Sequence, residues 1–99
     1  MAFDITLSPT ALEQLTRLTA RDRRIVLDEI EAQLKHEPTT ITRQRKPLRP
    51  NPLASWELRV GKFRVYYQVE QDERDIVFVI AVGKKIRNQV VIGETKVQL

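Results

Sequence analysis

Two arginines, a glutamate and a tyrosine stand at alternate positions in the segment WELRVGKFRVYYQVE, residues 56–70. Apolar residues fill the positions between them, and Gly61 with Lys62 divides the segment into two halves. Arginine binds phosphate through paired hydrogen bonds, and a nearby carboxylate can accept a proton. If phosphodiester chemistry takes place here, Glu57 is the natural candidate for the general base. The spacing predicts a β-hairpin with one buried face and one outer face, the outer face carrying Glu57, Arg59, Arg64, Tyr66 and Gln68.

The same side chains have a structural interpretation, which the pattern alone favours over catalysis. Glu57 can pair with Arg59 or Arg64 across the hairpin, as oppositely charged neighbours do in ordinary sheets. Tyr66 can stack on a base of single-stranded nucleic acid, or it can be half-buried under a helix. Trp56 belongs to the inner face and is expected in the core.

Positive charge is concentrated in the middle of the chain. Residues 43–69 contain seven basic residues against Glu57 as the one acidic residue, whereas the flanking segments are acidic or balanced. A focused basic region attracts polyanions, of which nucleic acid is the commonest in a cell. The alternative is a solvated basic loop that aids solubility. The residues expected to form a nucleic-acid-binding surface are Arg43, Arg45, Lys46, Arg49, Lys62, Tyr66, Lys84 and Arg87.

The amino-acid composition argues against several other kinds of catalytic site. The chain has no cysteine and one histidine, His36, so a thiol nucleophile is ruled out and a zinc site is not expected. His36 falls at a predicted helix end, where it is expected to interact with free carbonyl groups. No metal or cofactor is therefore predicted. Without a membrane-spanning run or a secretory signal at the start, a cytoplasmic protein is expected.

The elements that must position these residues follow from local signals. The segment AFDITL alternates and predicts a first strand, and Ser8 followed by Pro9 marks a helix start. Thr19 and Asp22 have cap spacing, which predicts a second helix from about Ala20 to near His36. The two helices should form an antiparallel helical hairpin. Residues 38–55 contain four of the five prolines and predict a long basic loop.

Three further strands are predicted at about residues 55–60, 63–70 and 76–82. The last, IVFVIAV, is apolar at every position and should be central and covered on both faces. The order of elements, with helices grouped ahead of consecutive strands, predicts one α+β domain over residues 1–99. Its small antiparallel sheet should pack against the N-terminal helical hairpin.

The segments WELRVGKFRVYYQV and IVFVIAVGKKIR, preceded by the predicted helical hairpin and a KPLRPN loop, resemble the RelE/ParE superfamily of bacterial toxins. The resemblance covers nearly the whole chain in element order, and GKFRVYYQV and FVIAVGKK are its most specific parts. It implies a toxin of a type II toxin–antitoxin system. RelE-like members are ribosome-dependent mRNA endoribonucleases, which cut mRNA by attack of a ribose 2′-hydroxyl on the adjacent phosphate and so inhibit translation.

The resemblance assigns roles residue by residue. Arg64 matches the arginine that contacts the scissile phosphate, while Arg59 and Lys85 stand where RelE has other cations. Glu57 stands where RelE has a lysine, so the charge there is reversed. The tyrosine that stacks on the substrate base in RelE corresponds to Val91 here. The catalytic candidates are therefore Arg64, Arg59, Lys85 and Glu57, with Tyr66 or Lys84 suggested as the acid.

Two alternatives follow from the same resemblance. ParE-like members inhibit DNA gyrase by binding and perform no chemistry of their own. A catalytically weakened relative would act only through antitoxin or DNA binding, which the departures at Glu57 and Val91 permit. In each case the resemblance implies a cognate antitoxin as partner, in heterotetramers or larger assemblies. An endoribonuclease would also bind mRNA on the ribosome.

Overall fold

The computed structural model of the protein describes residues 2–87, 89–92 and 95–97. Two helices follow the first strand, and the other strands come after them along the chain. None of the helices in these ranges is long and apolar enough to cross a membrane. The elements are β1 (Asp4–Leu7), α1 (Pro9–Thr16), α2 (Ala20–Leu34), β2 (Arg45–Pro47), β3 (Trp56–Val60), β4 (Phe63–Glu70), β5 (Ile76–Ile86), β6 (Gln89–Ile92) and β7 (Thr95–Val97).

The strands form one sheet in the order β2-β3-β4-β5-β6-β7, to which β1 is added by pairing with β5. The predicted α+β class is confirmed, but the prediction of a purely antiparallel sheet is wrong in one pair. Asp4–Leu7 of β1 runs parallel to the first residues of β5. Parallel neighbours need a long crossover, and the chain from α1 to β4 provides it. Alternation locates a strand but does not indicate which strand it pairs with.

Both predicted helix starts are confirmed. The Ser8 side chain accepts a hydrogen bond from the Ala11 N–H at 2.9 Å, and Pro9 occupies the first turn of α1. The Thr19 side chain accepts one from the Asp22 N–H at 3.1 Å, which caps α2. These bonds satisfy N–H groups that have no partner within the helix.

The main core lies between the helices and one face of the sheet. Buried side chains of α2 meet the predicted inner residues of β3 and β4, with Leu58, Val65 and Tyr67 fully buried. Trp56 stacks on Tyr67 with ring centroids 6.2 Å apart. The inward half of the hairpin prediction is thus confirmed, because residues at alternate positions lie on the same face of a strand.

The opposite face of the sheet is also covered, contrary to the expectation of an exposed charged face. Ala54, Tyr66 and Ala81 form a second buried cluster, against which Leu48, Leu53, Ile80, Val90 and Ile92 pack. The pairing of β4 with β5 shifts by one residue after Tyr66, so Tyr66 faces Ala81 and Tyr67 faces Val79. This bulge lets both Ile80 and Ala81 contribute to the second cluster.

The predicted long loop contains an additional short strand. Residues 45–47 form β2 and pair with β3, with Lys46 opposite Glu57. Three residues are too few to show a period in the sequence, which is why pattern analysis missed the strand. Its position matters for the site, because it brings a lysine from the loop onto the hairpin.

Candidate functional site

The hairpin of β3 and β4 places the candidate catalytic residues on the sheet face that lies away from the helices. Gly61 adopts a positive φ of 55° at the turn, a conformation that glycine accepts without strain. The resulting register sets Glu57 opposite Tyr66 and Arg59 opposite Arg64. All four side chains therefore share one face, as the alternation predicted.

Glu57 lies between two cations. One carboxylate oxygen, Oε1, is 3.6 Å from Lys46 Nζ and 3.9 Å from Arg64 Nε. Glu57 and Arg64 are buried, whereas the Lys46 side chain is 58% exposed. We refer to these three residues, Lys46, Glu57 and Arg64, as the Glu57 cluster. It carries one negative and two positive charges, so it has a net attraction for an anion.

Arg64 is held rigidly by the turn. Its Nη1 donates hydrogen bonds to the carbonyl oxygens of Gly61 at 2.7 Å and Phe63 at 2.8 Å. Burial lowers the pKa of Arg64, the neighbouring charge of Arg59 lowers it further, and Glu57 acts in the opposite direction. An arginine keeps its charge despite such shifts. The guanidinium is thus a fixed positive charge beside the Glu57 carboxylate.

Tyr66 lies opposite Glu57 in the hairpin and is fully buried, so in this position it is not available to stack on a base. Its hydroxyl makes no hydrogen bond of standard geometry with a described residue, although the Glu57 carboxylate is close enough to act as a weak acceptor. Burial raises the pKa of Tyr66, and the nearby negative charge of Glu57 raises it further. The phenol therefore stays neutral at physiological pH.

Arg45 has a structural role that sequence reasoning missed. It lies opposite Leu58 on the helix side of the sheet and is buried. Its guanidinium donates to the backbone carbonyls of Gln33 at 2.5 Å and Thr40 at 2.9 Å. A buried arginine that bonds to the protein backbone in this way is not placed to bind RNA, contrary to the prediction.

The two lysines near the end of β5 point to opposite faces. Lys84 pairs with Phe63 and lines an apolar groove together with Gln14 and Leu18, so it faces the helices. Lys85 follows it in the strand and pairs with Val90, which belongs to the second buried cluster. Since neighbouring side chains alternate, Lys85 shares the face of the Glu57 cluster and Lys84 does not.

The other predicted cations are exposed. Arg87 follows β5 with a positive φ of 57°. Across the described ranges, no group of three or more histidine, aspartate or glutamate side chains could hold a metal ion. The remaining exposed cations of the predicted RNA-binding and catalytic sets are Arg43, Arg49, Arg59 and Lys62.

Comparison with known proteins identifies the family. The sequence model described as "ParE toxin of type II toxin-antitoxin system, parDE" matches residues 5–88. The chain belongs to this family of toxins. No curated protein matches the ParE-family toxin significantly in sequence.

A solved structure similar to this ParE-family toxin is the crystal structure of the toxin–antitoxin complex RelBE2 from Mycobacterium tuberculosis. The TM-score is 0.69 and the sequence identity is 26%, over 86% of this chain and 100% of the other. The suspected RelE/ParE superfamily membership is therefore confirmed. The matching family model carries the ParE name and the similar structure carries the RelBE name, so both branches of the superfamily are represented.

Sequence reasoning missed two features of the ParE-family toxin. It assigned Lys46 to a long, basic, partly extended loop, whereas pairing of β2 with β3 brings the lysine to Glu57. It also gave no sign of the groove between α1 and the end of β5, whose lining comes from distant parts of the chain. Local patterns do not encode either feature, because both depend on which elements meet in space.

Proposed function

We propose that this toxin is a ribosome-dependent mRNA endoribonuclease that inhibits translation. The observation that carries the proposal is the Glu57 cluster, in which one carboxylate lies 3.6 Å from a lysine and 3.9 Å from an arginine. A base to deprotonate the 2′-hydroxyl and cations to stabilise the phosphorane are the main requirements of this reaction.

The proposed roles follow from position and exposure. Glu57 accepts the proton of the 2′-hydroxyl, which then attacks the adjacent phosphorus. Arg64, fixed by its bonds to Gly61 and Phe63, stabilises the developing charge on the phosphate. Arg59, its register partner, and Lys85 on the same face add positive charge. The buried Tyr66 takes no direct part.

The limited exposure of Glu57 and Arg64 restricts how a substrate phosphate can approach them. Each side chain is less than a tenth exposed, at 8% and 6%. A flexible single strand would seldom hold one phosphate against so small an opening. A ribosome that fixes the mRNA conformation supplies this orientation, which can contribute a large share of the rate. The burial thus supports dependence on the ribosome.

The same proposal includes a cognate antitoxin as partner. The structural neighbour is a chain of a toxin–antitoxin complex, RelBE2. The exposed cations suit an acidic, partly disordered segment that folds on binding. Such a partner would also cover the RNA-binding surface and silence the toxin.

Inhibition of DNA gyrase is the second candidate, and the match to the ParE toxin description favours it. ParE-like inhibition requires binding and no catalytic group. The burial of Glu57 and Arg64 is compatible with a purely structural ion pair in that case. The two candidates differ in whether loss of the Glu57 carboxylate abolishes toxicity.

The proposal is tested by incubating purified toxin with an mRNA, either free or bound to ribosomes, and mapping the cut sites by primer extension. We expect the toxin to cut mRNA that is bound to ribosomes and to leave free mRNA intact. Glu57→Gln, which keeps the shape but removes the base, should slow cleavage by about 10²-fold or more. Arg64→Ala should do the same by removing phosphate stabilisation. Arg64→Lys keeps a charge and should slow it less.

Arg24→Ala is the matched control, because Arg24 is 82% exposed on α2 and pairs only weakly with Asp28 at 3.5 Å. It should cut at the wild-type rate. Circular dichroism shows whether each variant is folded. A gyrase supercoiling assay runs in parallel. Inhibition of supercoiling by both wild type and Glu57→Gln, without RNA cleavage, would reject the endoribonuclease and establish the second candidate.

A further inference from the structure

The cleavage reaction needs a proton donor for the leaving 5′-oxygen, and the two donors suggested by the sequence do not meet this requirement. Tyr66 is fully buried, and its hydroxyl is closed off from solvent and so from a substrate. Lys84 faces the helices and lines the groove beside α1, on the other side of the sheet from Glu57. His36 is exposed just after α2, outside the cluster.

Lys46, unlike these three residues, lies beside Glu57 and is exposed to solvent. The pairing of β2 with β3 sets it opposite Glu57, and its Nζ is 3.6 Å from Glu57 Oε1. It lies on the outermost strand of the sheet, and its side chain is 58% exposed. The flexible four-carbon stem can therefore carry the ammonium group to the far side of a bound phosphate.

We propose that Lys46 is the general acid that protonates the leaving 5′-oxygen, an inference that rests on the proposed endoribonuclease function. Lysine is one of the side chains that serve as general acids in enzymes. Among the described lysines, Lys46 is the one whose ammonium group forms an ion pair with Glu57. The acid and the base are thus neighbours on two paired strands.

In this step the Glu57 carboxylate takes the 2′-hydroxyl proton while the 2′-oxygen forms a bond to phosphorus. The bond from phosphorus to the 5′-oxygen breaks, its electron pair goes to that oxygen, and Lys46 supplies the proton. The products are a 2′,3′-cyclic phosphate and a 5′-hydroxyl. Glu57 is then protonated and Lys46 neutral, and a proton passing from Glu57 to Lys46 restores both.

Lys46 could instead bind phosphate by charge alone, so the test must separate proton donation from attraction. Lys46→Arg keeps the positive charge and the reach, but an arginine does not give up its proton in a protein. Lys46→Ala removes both properties. A substrate whose scissile 5′-oxygen is replaced by sulfur needs no acid, because a thiolate leaves unprotonated.

The experiment measures cleavage of ribosome-bound mRNA that carries either oxygen or sulfur at the site mapped with unmodified mRNA. On the oxygen substrate, we expect both variants to be slower by about 10²- to 10⁴-fold, the usual contribution of a general acid. On the sulfur substrate, the cleavage rates of both variants should be within about tenfold of the wild-type rate. Lys35→Ala is the matched control, since Lys35 lies at the end of α2 and pairs with Glu31.

Two outcomes would overturn the assignment while the toxin still cuts RNA. Equal reductions in rate on both substrates would mean that Lys46 binds or positions the phosphate and donates no proton. A wild-type rate for Lys46→Arg would mean that positive charge is sufficient. Failure of the wild-type toxin to cut unmodified mRNA would instead reject the proposed function, and this inference with it.

Discussion

Tyr66 and Tyr67 are neighbours in the sequence, but their hydroxyl groups have opposite surroundings. Both side chains are fully buried, on opposite faces of the sheet. The Tyr67 hydroxyl donates a 2.6 Å hydrogen bond to the Pro38 carbonyl, whereas the Tyr66 hydroxyl makes no hydrogen bond of standard geometry within the described structure. A buried polar group without a partner costs free energy, and one with a partner does not.

This contrast gives a paired prediction on stability. Tyr66→Phe should raise the free energy of unfolding by about 1–2 kcal/mol, because it removes a desolvated hydroxyl and keeps the ring. Tyr67→Phe should lower it by about 1 kcal/mol, because it leaves the Pro38 carbonyl without its donor. Urea unfolding of the two variants and the wild type measures both changes. Destabilisation by Tyr66→Phe would show that its hydroxyl has a stabilising interaction, for example with Glu57 opposite it in the hairpin.

The charged groups of the Glu57 cluster, like the buried hydroxyls, need partners when they are removed from water. A buried carboxylate is tolerated when cations and hydrogen bonds offset its desolvation, and Arg64 and Lys46 supply the cations here. Replacing a cation with a neutral side chain therefore affects both folding and chemistry. This is why charge-retaining substitutions, Arg64→Lys and Lys46→Arg, are the informative ones at this site.

At the scale of elements, Arg45 links β2 to the end of α2. The last turn of a helix leaves carbonyl groups without partners and carries partial negative charge, which a cation stabilises. The final turn of α2 has no basic residue of its own. Arg45, far along the chain, donates to the Gln33 carbonyl there and to Thr40 in the following loop.

Arg45→Ala should therefore lower the free energy of unfolding by about 2–3 kcal/mol, because the backbone carbonyls of Gln33 and Thr40 lose a charged donor. The control is Arg43→Ala, an exposed arginine two residues earlier, which should change stability by less than about 0.5 kcal/mol. Thermal or urea unfolding of the two variants and the wild type measures both changes in stability. Equal, small effects would mean that the loop is anchored by its prolines and backbone and does not depend on Arg45.

The elements also show what the sequence could and could not predict. Caps at Ser8 and Thr19 and the alternation in β3 and β4 are local signals, so the helix starts and the inner face were predictable. The burial of Tyr66 was not, because it depends on Val90, Ile92 and the segment around Leu53 folding onto the sheet. Pairings between distant segments, such as β1 with β5 and β2 with β3, have no local signature.

Over the whole molecule, most of the exposed arginines fall into two groups, one at the helices and one in residues 43–69. Arginines on the helices tend to have acidic neighbours, as Arg17 pairs with Glu13 at 2.7 Å and Arg24 with Asp28 at 3.5 Å. The exposed Arg43, Arg49 and Arg59 belong to the segment with seven basic residues and one acidic residue. Paired charges cancel at a distance, so the attraction for RNA should come from the second group.

This division predicts the salt dependence of RNA binding. Replacing Arg43, Arg49 and Arg59 together with Gln should weaken binding of single-stranded RNA. It should also reduce the slope of log affinity against log salt, by about one for each phosphate that no longer meets a cation. The matched triple replacement of Arg17, Arg21 and Arg24 removes the same charge from the helices. Fluorescence anisotropy over a range of salt concentrations measures both slopes.

Because the two triple variants have the same net charge, any difference between them reports where the RNA lies. A reduced slope for the Arg43, Arg49 and Arg59 variant alone would place the RNA on the basic segment 43–69, which also contains the Glu57 cluster. Equal reductions in the two variants would mean that RNA is held by the general positive charge of the protein. In that case a phosphate would not be guided to Arg64, and the ribosome would have to provide all of the orientation that cleavage requires.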